Sequence, residues 1–87
     1  MGKTIIKFWG NGCMNCNAMA PIVNGIKSEY PDIVFKDINT SDDGDTAEKY
    51  GVASLPTLVF EKDGKEVGRL VGLKPKSLIC KKIAEVF

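Results

Sequence analysis

The sequence KTIIKFWGNGCMNC, residues 3–16, decides the fold, because an apolar strand pattern gives way within it to a helical pattern. The stretch from Lys3 to Trp9 is rich in β-branched and aromatic residues, which favour a buried strand. From Cys13 onward, apolar residues recur every three or four positions, which predicts one buried face of a helix. Cys13 and Cys16 lie at the junction, where two thiols at this spacing can close into a disulfide and open again.

The remaining sequence extends this start into the element order β-α-β-α-β-β-α. A strand–helix–strand start implies a right-handed parallel crossover. The Asp63-Gly64 pair predicts a hairpin, and therefore an antiparallel pair, between the last two strands. We predict an α/β fold with a four-stranded mixed sheet flanked by helices on both faces. Further strands are predicted at residues 33–38, 57–61 and 66–71, and helices at 13–30, at 46–50 and from Lys74 onward.

Composition and charge restrict the class of protein. A length of 87 residues predicts one domain, residues 1–87. A hydrophobic content of 44% and a charged content of 26% are typical of a folded chain rather than a disordered one. The net charge is +1 and no basic block occurs, so nucleic-acid binding is not indicated. No apolar run approaches the ~20 residues of a membrane span.

The three cysteines indicate the compartment. A small secreted domain held by disulfides usually has more cysteines, in pairs, and this chain begins without the apolar core of a signal peptide. We therefore expect a cytoplasmic protein with one working pair and one spare thiol, Cys80. On the last helix Cys80 is expected to be a small buried hydrophobe, with a regulatory or dimer-forming thiol as the alternative.

The two thiols of the pair are expected to have different roles. Cys13 lies at the start of the helix, where unpaired N–H groups and the helix dipole lower the pKa of a thiol, so we assign it as the nucleophile. Cys16 lies one turn deeper on the inward face, which suits a resolving cysteine. A structural zinc site needs four ligands, and a chain without histidine offers only Cys80 in addition, so no metal site is expected.

The motifs together resemble the thioredoxin family over nearly the whole chain. Their order and spacing agree with that family. They are Phe8-Trp9, Cys13-x-x-Cys16, Ala20-Pro21, Tyr50-Gly51-Val52, Leu55-Pro56-Thr57-Leu58, Asp63-Gly64 and Gly72.

The resemblance implies a thioredoxin-like fold and a thiol–disulfide oxidoreductase that reduces protein disulfides. It implies a cis Pro56 facing the sulfurs, a Leu55 backbone that pairs with extended substrate, Trp9 beside the active-site loop and Gly72 leaving space on the docking surface. It further implies electrons from a thioredoxin-reductase-type donor and no bound cofactor. We also expect a monomer.

Four positions depart from the family pattern. Met14-Asn15 replaces the usual Gly-Pro between the cysteines, and Gly12 stands where a second Trp is usual. Both belong to the expected substrate-binding surface, with Met14 as a flexible contact. Lys7 stands where the family keeps a buried Asp, while the lysine that accompanies that Asp falls at Phe35 or Lys36.

Lys7 has two open interpretations. It either modulates the pKa of the Cys16 thiol, with Lys36 as a second candidate, or extends to solvent without a role. Two further function classes stay open. One is a glutaredoxin-like, glutathione-linked oxidoreductase in which Lys7 and Lys36 bind the carboxylates. The other is a non-enzymatic thioredoxin-like adaptor or metal-binding module.

Overall fold

The computed structural model describes residues 2–87, and within them the elements follow the predicted order. Each predicted boundary is met within a few residues. The strands are β1 (Lys3–Trp9), β2 (Ile33–Asn39), β3 (Thr57–Lys62) and β4 (Lys65–Val71), and the helices are α1 (Met14–Glu29), α2 (Gly44–Lys49) and α3 (Lys76–Val86).

The sheet has the strand order β2-β1-β3-β4. Strands β1 and β2 are parallel, and the other two pairs are antiparallel, which confirms the predicted mixed sheet. Phe8 pairs with Thr57, which pairs in turn with Val71. The end of β1, the start of β3 and the end of β4 therefore meet at one edge of the sheet, together with the loops attached to them.

Helices cover both faces of the sheet, as predicted. Because side chains alternate along a strand, Ile5 packs on one face with buried residues of α1 and α3, and Phe8 packs on the other face with Ala47 of α2. Lys7 follows the same alternation and lies on the Ile5 side, beneath α1. Helix α1 continues through Pro21 and ends at Glu29. No helix within residues 2–87 is long and apolar enough to cross a membrane.

A polar network joins α2 to the two antiparallel strands. The Arg69 guanidinium donates to both carboxylate oxygens of Glu66 at 2.7 Å and to the Tyr50 carbonyl at 2.8 Å. The bond from Arg69 holds the pKa of Glu66 below its usual value. The Tyr50 hydroxyl donates to Glu61 at 2.8 Å, and this bond raises the pKa of Tyr50. The network fixes the segment that leads into the loop before β3.

Candidate active site

Cys13 and Cys16 form a disulfide at the N-terminus of α1. Cys13 is the N-cap residue, with an extended backbone at φ −84° and ψ 106°, and its Sγ accepts the Cys16 N–H at 3.1 Å. Sulfur at this position meets the unpaired N–H groups of the first turn. Cys13 is half-buried, whereas Cys16 is only 3% exposed. The two sulfurs therefore differ in access to a partner molecule.

The turn before the disulfide is held by hydrogen bonds and by one glycine. The Cys13 N–H donates to the Gly10 carbonyl at 3.4 Å. Gly12 has φ +72°, a backbone conformation that favours glycine. This conformation gives a local reason for the departure from the family's Trp. The Asn11 N–H donates to Ser41 Oγ at 3.0 Å, which ties the turn to the segment after β2.

The second half of the site is the loop before β3. The Leu55–Pro56 peptide bond is cis, as the resemblance implies. The Pro56 carbonyl accepts the Gly72 N–H at 2.7 Å. A Cβ built on Gly10 would lie 2.9 Å from Leu55 Cδ1, so the turn before Cys13 touches this loop directly. The structure thus brings Cys13, Leu55, Pro56 and Gly72 to the same edge of the sheet.

Exposed apolar side chains surround the two loops. Met14, the first residue of α1, is 84% exposed, and Leu73 next to Gly72 is 41% exposed. Leu73 also lines a shallow groove of about 410 Å³ together with Ala18 and Ile22 of α1. Gly72 has φ +90°, and a Cβ there would meet nothing within 4 Å, so space is open at this position.

Lys7 and Asp37 form an ion pair at a small cavity beneath the buried sulfur of Cys16. Lys7 extends its Nζ to within 3.4 Å of Asp37 Oδ1 on the parallel neighbour β2. The Lys7 side chain is 13% exposed and the Asp37 side chain 67% exposed. Lys36 is exposed and, by strand alternation, faces the other side of the sheet from Cys16. Lys7 therefore has an anionic partner on β2 instead of extending free into solvent.

Two residues of this site had not been singled out from the sequence. Gly10 contacts Leu55, and Asp37 pairs with Lys7. Each role depends on a contact between segments that are distant in the sequence. The only sequence signal for Gly10 is a glycine at the end of a strand, and Asp37 carries none, since an acidic residue in an edge strand is common on protein surfaces.

The third thiol lies away from the pair. Cys80 is free and half-buried on α3, beside the buried face predicted for it. A hydrogen bond with the Cys80 side chain raises the pKa of Tyr30 above its usual value. Across residues 2–87, no group of three or more His, Cys, Asp or Glu side chains is placed to hold a metal ion.

A disulfide at a helix N-terminus beside a cis-proline loop, on this sheet, defines the class of thioredoxin-fold thiol–disulfide oxidoreductases. The sequence pattern of the thioredoxin family matches residues 1–85. The chain belongs to the thioredoxin family.

The chain is similar to individual thioredoxins over most of their lengths. The chain is 38% identical to a thioredoxin of Chlamydia caviae, covering 94% of this chain and 80% of that protein. It is 35% identical to thioredoxin-2 of Saccharomyces cerevisiae, covering 85% and 71%. The crystal structure of thioredoxin NaTrxh from Nicotiana alata superposes with a TM-score of 0.92 at 34% identity, covering 98% of this chain and 73% of that one. The X-ray structure of Fasciola hepatica thioredoxin gives 0.92 at 30% identity, covering 99% and 82%.

These similarities establish the function in general form. The chain is a protein-disulfide oxidoreductase with the redox-active pair Cys13 and Cys16. As in the family generally, disulfides are its substrates and a reductase is its electron donor. The glutaredoxin-like and non-enzymatic alternatives are not favoured.

Proposed function

We propose that Cys13 is the nucleophile that attacks substrate disulfides and that Cys16 is the resolving cysteine. The observation that carries this assignment is the difference between the two sulfurs. The half-buried Cys13 sulfur caps the helix and accepts the Cys16 N–H at 3.1 Å, a bond that favours the thiolate. Cys16 is 3% exposed, so a second protein cannot reach it first.

The reaction follows from these positions. The Cys13 thiolate attacks one sulfur of the substrate disulfide, a bond forms between them, and the other substrate sulfur leaves as a thiolate. Cys16 loses its proton and attacks the Cys13 sulfur, and the bond to the substrate breaks. Two electrons have then passed to the substrate, whose two thiolates take up protons. The protein is left with the Cys13–Cys16 disulfide.

We propose that substrates dock on the edge of the sheet formed by the two active-site loops. The Leu55 backbone next to the cis peptide bond is placed to pair with an extended segment of substrate. Gly72 leaves room for that segment, and exposed Met14 provides an adaptable apolar contact. The full proposed surface consists of Trp9, Gly12, Met14, Leu55, Pro56 and Gly72.

We further propose an oligomeric state, an electron donor and a cellular location for the protein. Residues 1–87 act as one monomeric domain without a bound cofactor, because the cysteine pair itself carries the electrons. A thioredoxin-reductase-type donor using NADPH restores the dithiol. The protein works in the cytoplasm, where a free thiol such as Cys80 stays reduced. Thiol alkylation in intact cells followed by fractionation tests the location and the state of Cys80 together.

Serine variants of the three cysteines test the assignment. With a protein disulfide as substrate and reductase plus NADPH as donor, Cys13→Ser abolishes turnover. Cys16→Ser stops after the first step and accumulates a mixed disulfide on Cys13, which mass spectrometry detects. Cys80→Ser is the matched control and retains activity. An adduct on Cys16 in the Cys13→Ser variant, with none in Cys16→Ser, reverses the roles. Turnover with glutathione instead of the reductase contradicts the proposed donor.

A further inference from the structure

The cavity beneath Cys16 contains both charged partners of a strand-to-strand ion pair. It has a volume of about 200 Å³ between α1, β1 and β2. This volume is large enough for several water molecules, and the polar groups of Lys7, Asn17 and Asp37 offer them hydrogen-bond partners. It is lined by Lys7, Trp9, Cys16, Asn17, Ala20 and Asp37.

The resolving step requires a path by which the buried Cys16 thiol loses its proton. Cys16 is 3% exposed, and burial disfavours the thiolate that has to form before it can attack. The chain has no histidine, the usual side chain for this task at neutral pH. The proton of Cys16 must therefore pass to one of the other side chains that line the cavity or through it to solvent.

Only one of the lining side chains can accept that proton. The Lys7 ammonium has three donor hydrogens and no lone pair, and the Asn17 amide is too weak a base. The Asp37 carboxylate has free lone pairs, and its exposure of 67% places it at the mouth of the cavity, in contact with solvent. Lys7, at 3.4 Å, holds that carboxylate toward the cavity.

We propose that Asp37 is the proton acceptor for Cys16 and that Lys7 positions it. The inference rests on the proposed role of Cys16 as the resolving cysteine. The proton of Cys16 moves through water in the cavity to an Asp37 oxygen, and the thiolate forms a bond to the Cys13 sulfur. The bond from Cys13 to the substrate breaks, and the substrate sulfur leaves with its electron pair. Asp37 then returns the proton to the departing thiolate or to solvent.

The effect of removing Asp37 on the rate of resolution distinguishes a proton acceptor from a mere neighbouring charge. The titratable and charged side chains lining the cavity are Lys7 from β1, Asp37 from β2 and Cys16 from α1. If Asp37 acted only as a neighbouring negative charge, its removal would stabilise the Cys16 thiolate and accelerate resolution. If it accepts the proton, its removal slows resolution. The two roles predict opposite effects.

A single-turnover reaction with an aromatic disulfide that releases a coloured thiolate separates the two steps. The first release reports attack by Cys13 and the second reports resolution by Cys16. In a Cys80→Ser background, Asp37→Asn is expected to slow the second phase about tenfold or more at neutral pH and to leave the first unchanged. The deficit should shrink toward about pH 9.5, where hydroxide takes the proton. Lys7→Met should also slow the second phase.

A matched control lies at the other end of the same strand pair. Asp32 accepts from Lys3 at 3.3 Å, with exposures of 63% and 32%, and lies far from the cavity in the β1–β2 register. Asp32→Asn should leave both phases unchanged. An Asp37→Asn second phase that is unchanged, faster or equally slow at every pH overturns the inference, as does an equal effect of Asp32→Asn. The proposed function fails separately, if Cys13→Ser still gives the first phase.

Discussion

Replacing Gly10 with alanine tests whether the turn before Cys13 positions the substrate-binding loop. A Cβ at this position would lie 2.9 Å from Leu55 Cδ1, 3.3 Å from Thr40 Oγ1 and 3.5 Å from Ser41 Oγ. The Thr40 hydroxyl is held by its bond to the Trp9 carbonyl at 3.0 Å, so it cannot move freely. Leu55 therefore has to move, by roughly 0.5 Å to restore an ordinary contact distance.

The displacement has a cost in stability and a larger one in activity. Overpacking costs about 1–3 kcal/mol, and the loss of unfolded-state entropy on replacing Gly by Ala offsets about 0.4–1 kcal/mol. We expect Gly10→Ala to lower the free energy of unfolding by about 1 kcal/mol, since the Leu55 side chain can yield in part. The part of the shift that reaches the Leu55 backbone misaligns the segment proposed to pair with substrate, and should lower kcat/KM for a protein disulfide by up to about tenfold.

Two substrates and a second glycine separate these effects. Denaturant unfolding measures the stability change, and reduction rates are compared for a protein disulfide and a small disulfide, which makes no backbone pairing with Leu55. Gly25→Ala is the matched control, because Gly25 lies in α1 with nothing within 4 Å of its added Cβ. It should stabilise the protein by about 0.5–1 kcal/mol without changing either rate. An equal loss of rate with both substrates refutes the reasoning, as does unchanged stability with unchanged rates.

Three further predictions concern the fold that carries the site. At pH values above the ordinary pKa range of carboxyl groups, Arg69→Met should lower the free energy of unfolding by at most about 1 kcal/mol. Because Arg69 depresses the pKa of Glu66, the part of this contribution that depends on the Glu66 charge is lost as the pH falls below about 4.5, whereas the bond to the Tyr50 carbonyl remains. The unfolding curves of the two proteins should therefore lie closer together in acid than at neutral pH. Met19→Ala should cost about 2–5 kcal/mol by leaving a cavity in the core, and a midpoint shift smaller than that of Arg69→Met contradicts this. Tyr50→Phe removes the bond to Glu61 and should cost about 0.5–1.5 kcal/mol, whereas no change in the denaturation midpoint would show the bond to be energetically neutral.

The periodic signals in the sequence were sufficient for the architecture. The change from strand to helix spacing at Cys13 predicted where α1 begins, and the Asp63-Gly64 pair predicted the hairpin, where both residues have positive φ. The same spacing placed Cys16 on the buried face. These features depend on residues a few positions apart, so the chain's local pattern contains them.

The residues that surround Cys16 could not be predicted from the local sequence pattern. The charged partner of Lys7 is Asp37, thirty positions along the chain, and only the parallel register of β1 and β2 brings them opposite each other. A shift of one residue would move Asp37 to the other face of the sheet, where Lys36 now lies. The contact of Gly10 with Leu55 depends on the same kind of long-range packing.

The sequence by itself thus determined the order of the elements, the redox pair and the unequal burial of its two sulfurs, because helix and strand periods and turn residues act over short distances. Only the tertiary structure decided which loop supports Leu55 and which carboxylate shares a cavity with Cys16. Those contacts are fixed by strand register and by the packing of α1 on the sheet, which many residues determine jointly.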